Sequence, residues 1–172
     1  MERRKDKYLS DSDIVRIVET YSDMLLRIAL NRVKSLPAAE DIVQMVFERL
    51  MRRRPIFESR EHEKAWLIRT AVNLCLSDLR AESRHGELPL DENIAAAYGE
   101  DSFEVVDAVQ TLPTQDRYAV YLYYYEGYGV KEIGHLLKEP EGTISSRLSR
   151  ARKKLKTILE GGNHGRQIQQ RL

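Results

Sequence analysis

The stretch Leu112–Leu155 reads LPTQDRYAVYLYYYEGYGVKEIGHLLKEPEGTISSRLSRARKKL, and its spacing decides the fold of the second half of the chain. Thr114 can cap a helix that should stop at Gly127, a short helix spans about Val130 to Leu137, and after a turn at Pro140 a basic helix extends from Gly142 to about Leu159. Two short helices joined by a tight turn, the second one basic, form a helix-turn-helix pattern. On the second helix Ile144, Leu148, Ala151 and Leu155 fall on one face and can pack against the first. Ser145, Ser146, Ser149, Arg150 and Lys153 fall on the opposite face. A major groove admits a helix, and short hydroxyls with an arginine reach base edges there. Arg147, Arg152, Lys154 and Lys156 flank that face, where phosphates would run. Gly142 and Thr143 open the helix, where backbone amides can also meet a phosphate. The competing account is a basic amphipathic helix that merely covers a small core; the preceding helix and turn favour DNA.

Outward from this stretch, charge is segregated along the chain. The total is only +1 over 172 residues, yet Leu90 to Gln110 holds six acids (Asp91, Glu92, Glu100, Asp101, Glu104, Asp107) and no base. Ser145 to Lys156 holds six bases and no acid, and a second basic group, Arg49 and Arg52 to Arg54, lies in the first half. Such segregation points to polyanion contact better than the total does. No apolar run approaches a membrane span and the start, MERRKDKY, lacks the apolar segment of a signal peptide, so the expected compartment is the cytoplasm. The single cysteine, Cys75, excludes an internal disulfide and a thiolate metal site; among Leu74, Leu76 and Leu79 it reads as a small buried hydrophobe. His62, His85, His135 and His164 are scattered, without an HExxH, paired-cysteine or GxxxxGK[ST] signal. Glu132 and His135 resemble half of a di-metal motif, but no second pair completes it. Neither an enzyme nor a metal, cofactor, small-molecule substrate or membrane partner is expected.

Strand signals are nearly absent, and the one β-rich run, Tyr118 to Tyr125, sits inside a helical pattern. From Ser12 to Lys34, Ile14, Ile17, Tyr21, Leu25 and Ile28 form one apolar stripe. Pro37 fits the first turn of a second helix with Ala39, Val43, Val46 and Leu50 as its stripe; Pro55 breaks it. A loop and a third helix, about His62 to Ser83, follow, with Ala65, Ile68, Val72, Cys75 and Leu79 as the buried positions. Its other stripe, Trp66, Arg69, Thr70, Asn73, Ser77, Arg80 and Arg84, is polar and basic. Periodicity fails between His85 and Asp101, Asp101 and Glu104 have capping-box spacing, and the tail GGNHGRQIQQRL lacks any pattern. The expectation is an all-α chain of two small helical domains, residues 1–85 and 104–160, joined by a flexible acidic linker, 86–103, with a disordered tail, 161–172.

At this point a family becomes recognisable. The Leu112–Leu155 stretch closely resembles the promoter-reading domain of extracytoplasmic-function sigma factors: the "LP" start, "EG" before the first short helix, "EI" within it, and EGTISSRLSRARKKL in the recognition helix are all present. Four positions depart from the family habit, Ser145 among them, where a basic residue is common. Lys138 stands where glycine usually ends the short helix, Glu139 replaces an apolar turn residue, and Gly129 replaces a serine or threonine cap. A lysine held in a left-handed conformation costs about 1 kcal/mol, unless the turn differs. AEDIVQMVFERLMRRR resembles the family's core-binding segment, with Met45 where many relatives carry an acid, and KAWLIRTAVNLCLSDLR resembles its minus-ten segment.

The resemblance implies a sigma subunit that binds core RNA polymerase and promoter DNA, melts the promoter, and has an anti-sigma factor as a further candidate partner. By that resemblance Thr143, Ser145, Ser146, Arg147, Ser149, Arg150, Arg152 and Lys153 contact the minus-thirty-five element; Trp66, Arg69, Asn73, Arg80 and Arg84 the minus-ten strand; and Asp41, Gln44, Met45 and Glu48 the polymerase clamp. Asn73, an amide with two donors and an acceptor, would hold an extruded base, with residues 57–63 shaping its pocket. On residue chemistry Trp66 reads as a core anchor ahead of a base-stacking platform, and the alternative for Asn73 is a cap or bridge between helices. A stand-alone helix-turn-helix regulator is the alternative function.

Overall fold

The structure, a computed structural model, describes residues 8–33, 35–77 and 103–161. Contacts divide the chain into two units, Met1–Asp91 and Glu92–Leu172, and every described element is helical.

In the first unit, α1 (Asp11–Leu30) begins one residue before the expected Ser12 because Ser10 supplies the cap, its hydroxyl accepting the Asp13 amide at 3.1 Å. Asp11 and Asp13 sit at the positive end of the helix, where acids are stabilising. The expected stripe is buried throughout, and Met24, Ala29 and Leu30 widen it. Helix α2 (Leu36–Arg53) carries Pro37 in its first turn and buries Ala39, Ile42, Val46 and Leu50; Ile42 takes the place expected for Val43, which is half-buried. It ends at Arg54 in the left-handed region (φ 40°), whose guanidinium donates to the Leu9 carbonyl at 3.3 Å and the Asp11 carboxylate at 2.5 Å. Helix α3 (Arg60–Ser77) buries Leu67, Ile68, Ala71, Val72, Leu74 and Cys75. It packs on both α1 and α2, so its buried sector is wider than one stripe and the expected Ala65 is only half-buried. Leu79 lies outside the described residues.

Among the described residues of this unit one acid is buried in the core. Glu63, 3% exposed, accepts from Nη1 and Nη2 of Arg16 (3.0 and 2.6 Å) and from Nη1 of Arg60 (3.3 Å). The fork–fork geometry ties α1 to the start of α3 and satisfies both carboxylate oxygens. Burial first, then the Glu63 charge and hydrogen bond, raise the Tyr21 phenol above its ordinary value of 10.0.

In the second unit, α4 (Phe103–Gln110) is followed by α5 (Thr114–Val120), which widens into a π turn over Tyr121–Tyr125. Thr114 is the first helical residue rather than the cap, and its hydroxyl accepts from Arg117 at 2.8 Å. The Glu126 amide reaches back to the Tyr121 carbonyl (3.2 Å), Tyr121 and Tyr125 stack at 5.5 Å, and Gly127 (φ 74°) closes the turn as expected. Helices α6 (Val130–Leu137) and α7 (Glu141–Gly161) complete the unit; α5 and α6 both pack on α7. The Asp101–Glu104 capping box, the acidic linker and the tail lie outside the described residues.

Glu63→Ala removes two close hydrogen bonds of the partly buried Arg16, with Asp13 left beside it at 3.8 Å, and is expected to destabilise the protein by about 1–3 kcal/mol in urea denaturation. Tyr21 sets a pH dependence with a defined sign. Its folded-state pKa is raised, so its contribution is complete below the unfolded value of 10.0 and is lost as pH rises above it. Tyr21→Phe should therefore flatten the fall in stability above that pH; an unchanged slope would show that folding does not raise the phenol's pKa.

Candidate nucleic-acid and polymerase interface

The seat of α7 is built from small distances. On α6, Ile133 and Leu136 are buried; on α7, Ile144, Leu148, Ala151 and Leu155 are all buried, as their spacing predicts. The turn between the two helices is held by Gly134, whose carbonyl accepts the Lys138 and Glu139 amides, the latter at 2.9 Å. A Cβ on Gly134 would lie 2.8 Å from the Glu139 carbonyl oxygen, so only glycine fits. Lys138 adopts φ 57°, ψ 44°, so the turn keeps its left-handed geometry despite the missing glycine. At the other end of α6 the Gly129 amide donates to the Glu132 carboxylate at 2.7 Å, which makes Glu132 a cap. Among the described residues no cluster of three or more His, Cys, Asp or Glu is arranged for a metal ion, and no helix is long and apolar enough to cross a membrane.

On the outward side of α7, Ser145, Ser146, Ser149, Arg150, Arg152 and Lys153 are exposed and Thr143 is half-buried. Ser146 donates to the Gly142 carbonyl at 2.8 Å, and Arg152 Nε to the Leu148 carbonyl at 3.3 Å. Lys154 donates to the Thr111 carbonyl at 2.6 Å. Arg147 departs from its expected place on the phosphate flank. Its side chain is only 13% exposed, with Nε and Nη2 on Glu139 (3.0 and 2.7 Å) and Nη1 on Asp116 (3.4 Å). Neither carboxylate was singled out from sequence. Asp116 is 31 residues from Arg147 and Glu139 stood out only as an odd turn residue, so the pairing needed the fold.

In the first unit, Asp41, Gln44, Met45 and Glu48 are all exposed on α2, and Gln44 donates to Glu48 at 3.1 Å. Beside them a cleft of about 520 Å³ opens between α1 and α2, with Leu26, Val43 and Phe47 in its lining and Asp23, Glu40 and Glu48 as its acids. An apolar floor edged by carboxylates suits a basic partner with an apolar side chain. At the start of α3, Trp66 is half-buried and meets Phe57 edge to face at 5.9 Å; Phe57 in turn meets His62 at 5.7 Å. Trp66 thus anchors the loop over residues 55–59. Asn73 is exposed seven residues further on, about 10 Å along the axis. Arg69 is half-buried, and its Nε has no hydrogen-bond partner. Arg80 and Arg84 lie outside the described residues.

Comparison with known proteins matches each unit separately. Residues 17–85 match Sigma-70 region 2, and residues 102–155 match Sigma-70, region 4. The ECF RNA polymerase sigma factor SigM of Mycobacterium tuberculosis is 29% identical over 164 residues, covering 93% of this chain and 82% of that protein. The ECF RNA polymerase sigma factor SigW of Bacillus subtilis is 27% identical, covering 83% of this chain and 87% of that protein. Among solved structures, the sigma factor RpoE of Bartonella quintana, crystallised with the anti-sigma factor NepR, shares the fold with a TM-score of 0.70. It is 23% identical, with 88% of this chain and 99% of that chain covered.

The turn generates a pair of opposite expectations. Lys138→Gly removes the left-handed strain and should stabilise the second unit by about 0.5–1 kcal/mol, whereas Gly134→Ala should destabilise it by about 1–3 kcal/mol through the clash with Glu139. Urea denaturation of both variants checks the pair.

Proposed function

The chain belongs to the sigma-70 family, in its extracytoplasmic-function branch, and from that premise we propose how its two units divide the work of a sigma factor. It directs promoter-specific transcription initiation by RNA polymerase, with core polymerase and promoter DNA as its partners. The first unit grips the polymerase through Asp41, Gln44, Met45 and Glu48 beside the acidic-rimmed cleft. It opens the minus-ten element with Asn73, flanked by Trp66, Arg69, Arg80 and Arg84. The second unit seats α7 in the major groove of the minus-thirty-five element, where Ser145, Ser146, Ser149 and Arg150 face the bases and Thr143, Arg152 and Lys153 face phosphates. Arg147 serves as scaffold instead. Domain limits at 1–85 and 104–160, around an acidic linker, suit this division. The chain performs no chemistry of its own; the bond-forming step stays with the polymerase, and the site of action is the cytoplasm.

The observation that carries this reading is the two-faced character of α7. A fully buried apolar stripe lies on one side and exposed hydroxyls and cations on the other, the pattern a groove-reading helix requires. The Bartonella sigma factor was solved with an anti-sigma factor, and a regulator of that kind is a partner we extend to this chain.

An extruded base gains stacking and hydrogen bonds that offset its unstacking. Asn73→Ala should therefore lower promoter opening, read as permanganate reactivity of unpaired thymines, by about fivefold or more, while association with core polymerase is unchanged. Opening that survives this change intact would remove Asn73 from the mechanism.

A further inference from the structure

The carboxylate of Asp116, on α5, lies beneath the exposed face of α7. Its side chain is 7% exposed and faces two arginines at once: Arg147 Nη1 at 3.4 Å and Arg150 Nη2 at 3.7 Å. The Arg147 side chain is 13% exposed and also bound to Glu139, whereas the Arg150 side chain is 64% exposed. An ion pair with so exposed a cation adds little to stability. Its consequence is where the guanidinium points.

Resting on the reading of α7 as the groove helix, we propose that Asp116 is a specificity-positioning residue that tethers Arg150 for base contact and damps its attraction to phosphates. Arg147 and Arg150 are one helical turn apart and repel each other; the buried carboxylate between them offsets that repulsion and draws the Arg150 head toward α5. An arginine that contacts a base loses rotamer freedom, and a tether removes part of that freedom beforehand. Bidentate contact with a base edge depends on that alignment, whereas a phosphate accepts almost any approach. A negative charge 3.7 Å from Nη2 also weakens the long-range pull of the phosphate backbone on this one cation. Glu139 completes the arrangement by holding Arg147, at 2.7 Å, so that Asp116 is not wholly occupied by it.

The test uses the full-length chain with core polymerase, selecting promoters from templates randomised across the upstream element, with salt-dependent binding of the full-length chain to an unrelated duplex measured alongside. Arg150→Ala should relax base preference at one or two positions by about tenfold. Asp116→Asn should relax the same positions by about threefold to fivefold, with no further effect in the double variant, and should steepen the salt slope on the unrelated duplex by up to about 1. A structural role would lower output at all sequences alike and leave preference and slope unmoved. Asp116→Asn takes one carboxylate partner from Arg147 and leaves it on Glu139 at 2.7 Å, so Asp116→Asn with Arg147→Met is made as well to separate the loss of that pair from the loss of the tether; it should show the same relaxed positions. Preference unchanged in both Asp116 variants, while Arg150→Ala relaxes it, overturns the tether and leaves the sigma reading standing. No selection of any sequence by the unaltered protein would overturn the sigma reading itself.

Discussion

Helix α7 is free to meet a polyanion only because its other side is already seated. Ile144, Leu148, Ala151 and Leu155 are buried against α5 and α6, and burial of each larger apolar side chain contributes about 1.5–3 kcal/mol. Six cations crowd the stretch from Ser145 to Lys156, and their mutual repulsion opposes the helix. The fold answers this locally. Arg147 turns inward to Asp116 and Glu139, Lys154 donates to the Thr111 carbonyl, and Lys156 lies 3.7 Å from Glu160. What is left exposed is a face of serines, Arg150, Arg152 and Lys153, polar enough for a groove and attached firmly enough to keep its register.

The first unit solves a related problem in its own core. A helix start that must present a loop and a reading face cannot be fixed by apolar contacts alone, since these slide. The buried Glu63 with its Arg16 fork sets the register of α3 on α1 directionally, and the Phe57–Trp66 contact then fixes the loop above it. Linking two binding units in one chain makes the second of two binding events intramolecular. Two modest contacts then act as one strong one.

The apolar stripe of α7 was legible in full, because periodicity reports a single buried face, and that of α1 was legible along its centre, with Met24, Ala29 and Leu30 buried beside the expected positions. Helix α3 was read less well: packed on two neighbours, it hides Leu67, Ala71 and Leu74 as well as the expected Ile68, Val72 and Cys75, and a one-stripe reading cannot see a two-sided burial. Lys138 stood out only against the family habit of a glycine there, which left a left-handed lysine or a different turn open; the structure has the left-handed lysine. The charge network was not legible. Glu63 and Asp116 look like ordinary surface acids in sequence, and only the approach of α1 to α3 and of α5 to α7 makes them buried partners. That is why the inward pairing of Arg147 was invisible: its spacing alone put it on the flank, and the carboxylates that turn it inward lie 31 and 8 residues away.

The central claim is that this chain confers promoter choice on a polymerase that lacks it. The most direct measurement is run-off transcription by purified core RNA polymerase, with and without the chain, on its own promoter region and on a scrambled copy of the same template. The account predicts that the chain associates with core and raises transcripts from the promoter template alone. Failure to associate with core at any salt concentration, or equal stimulation of both templates, would contradict it.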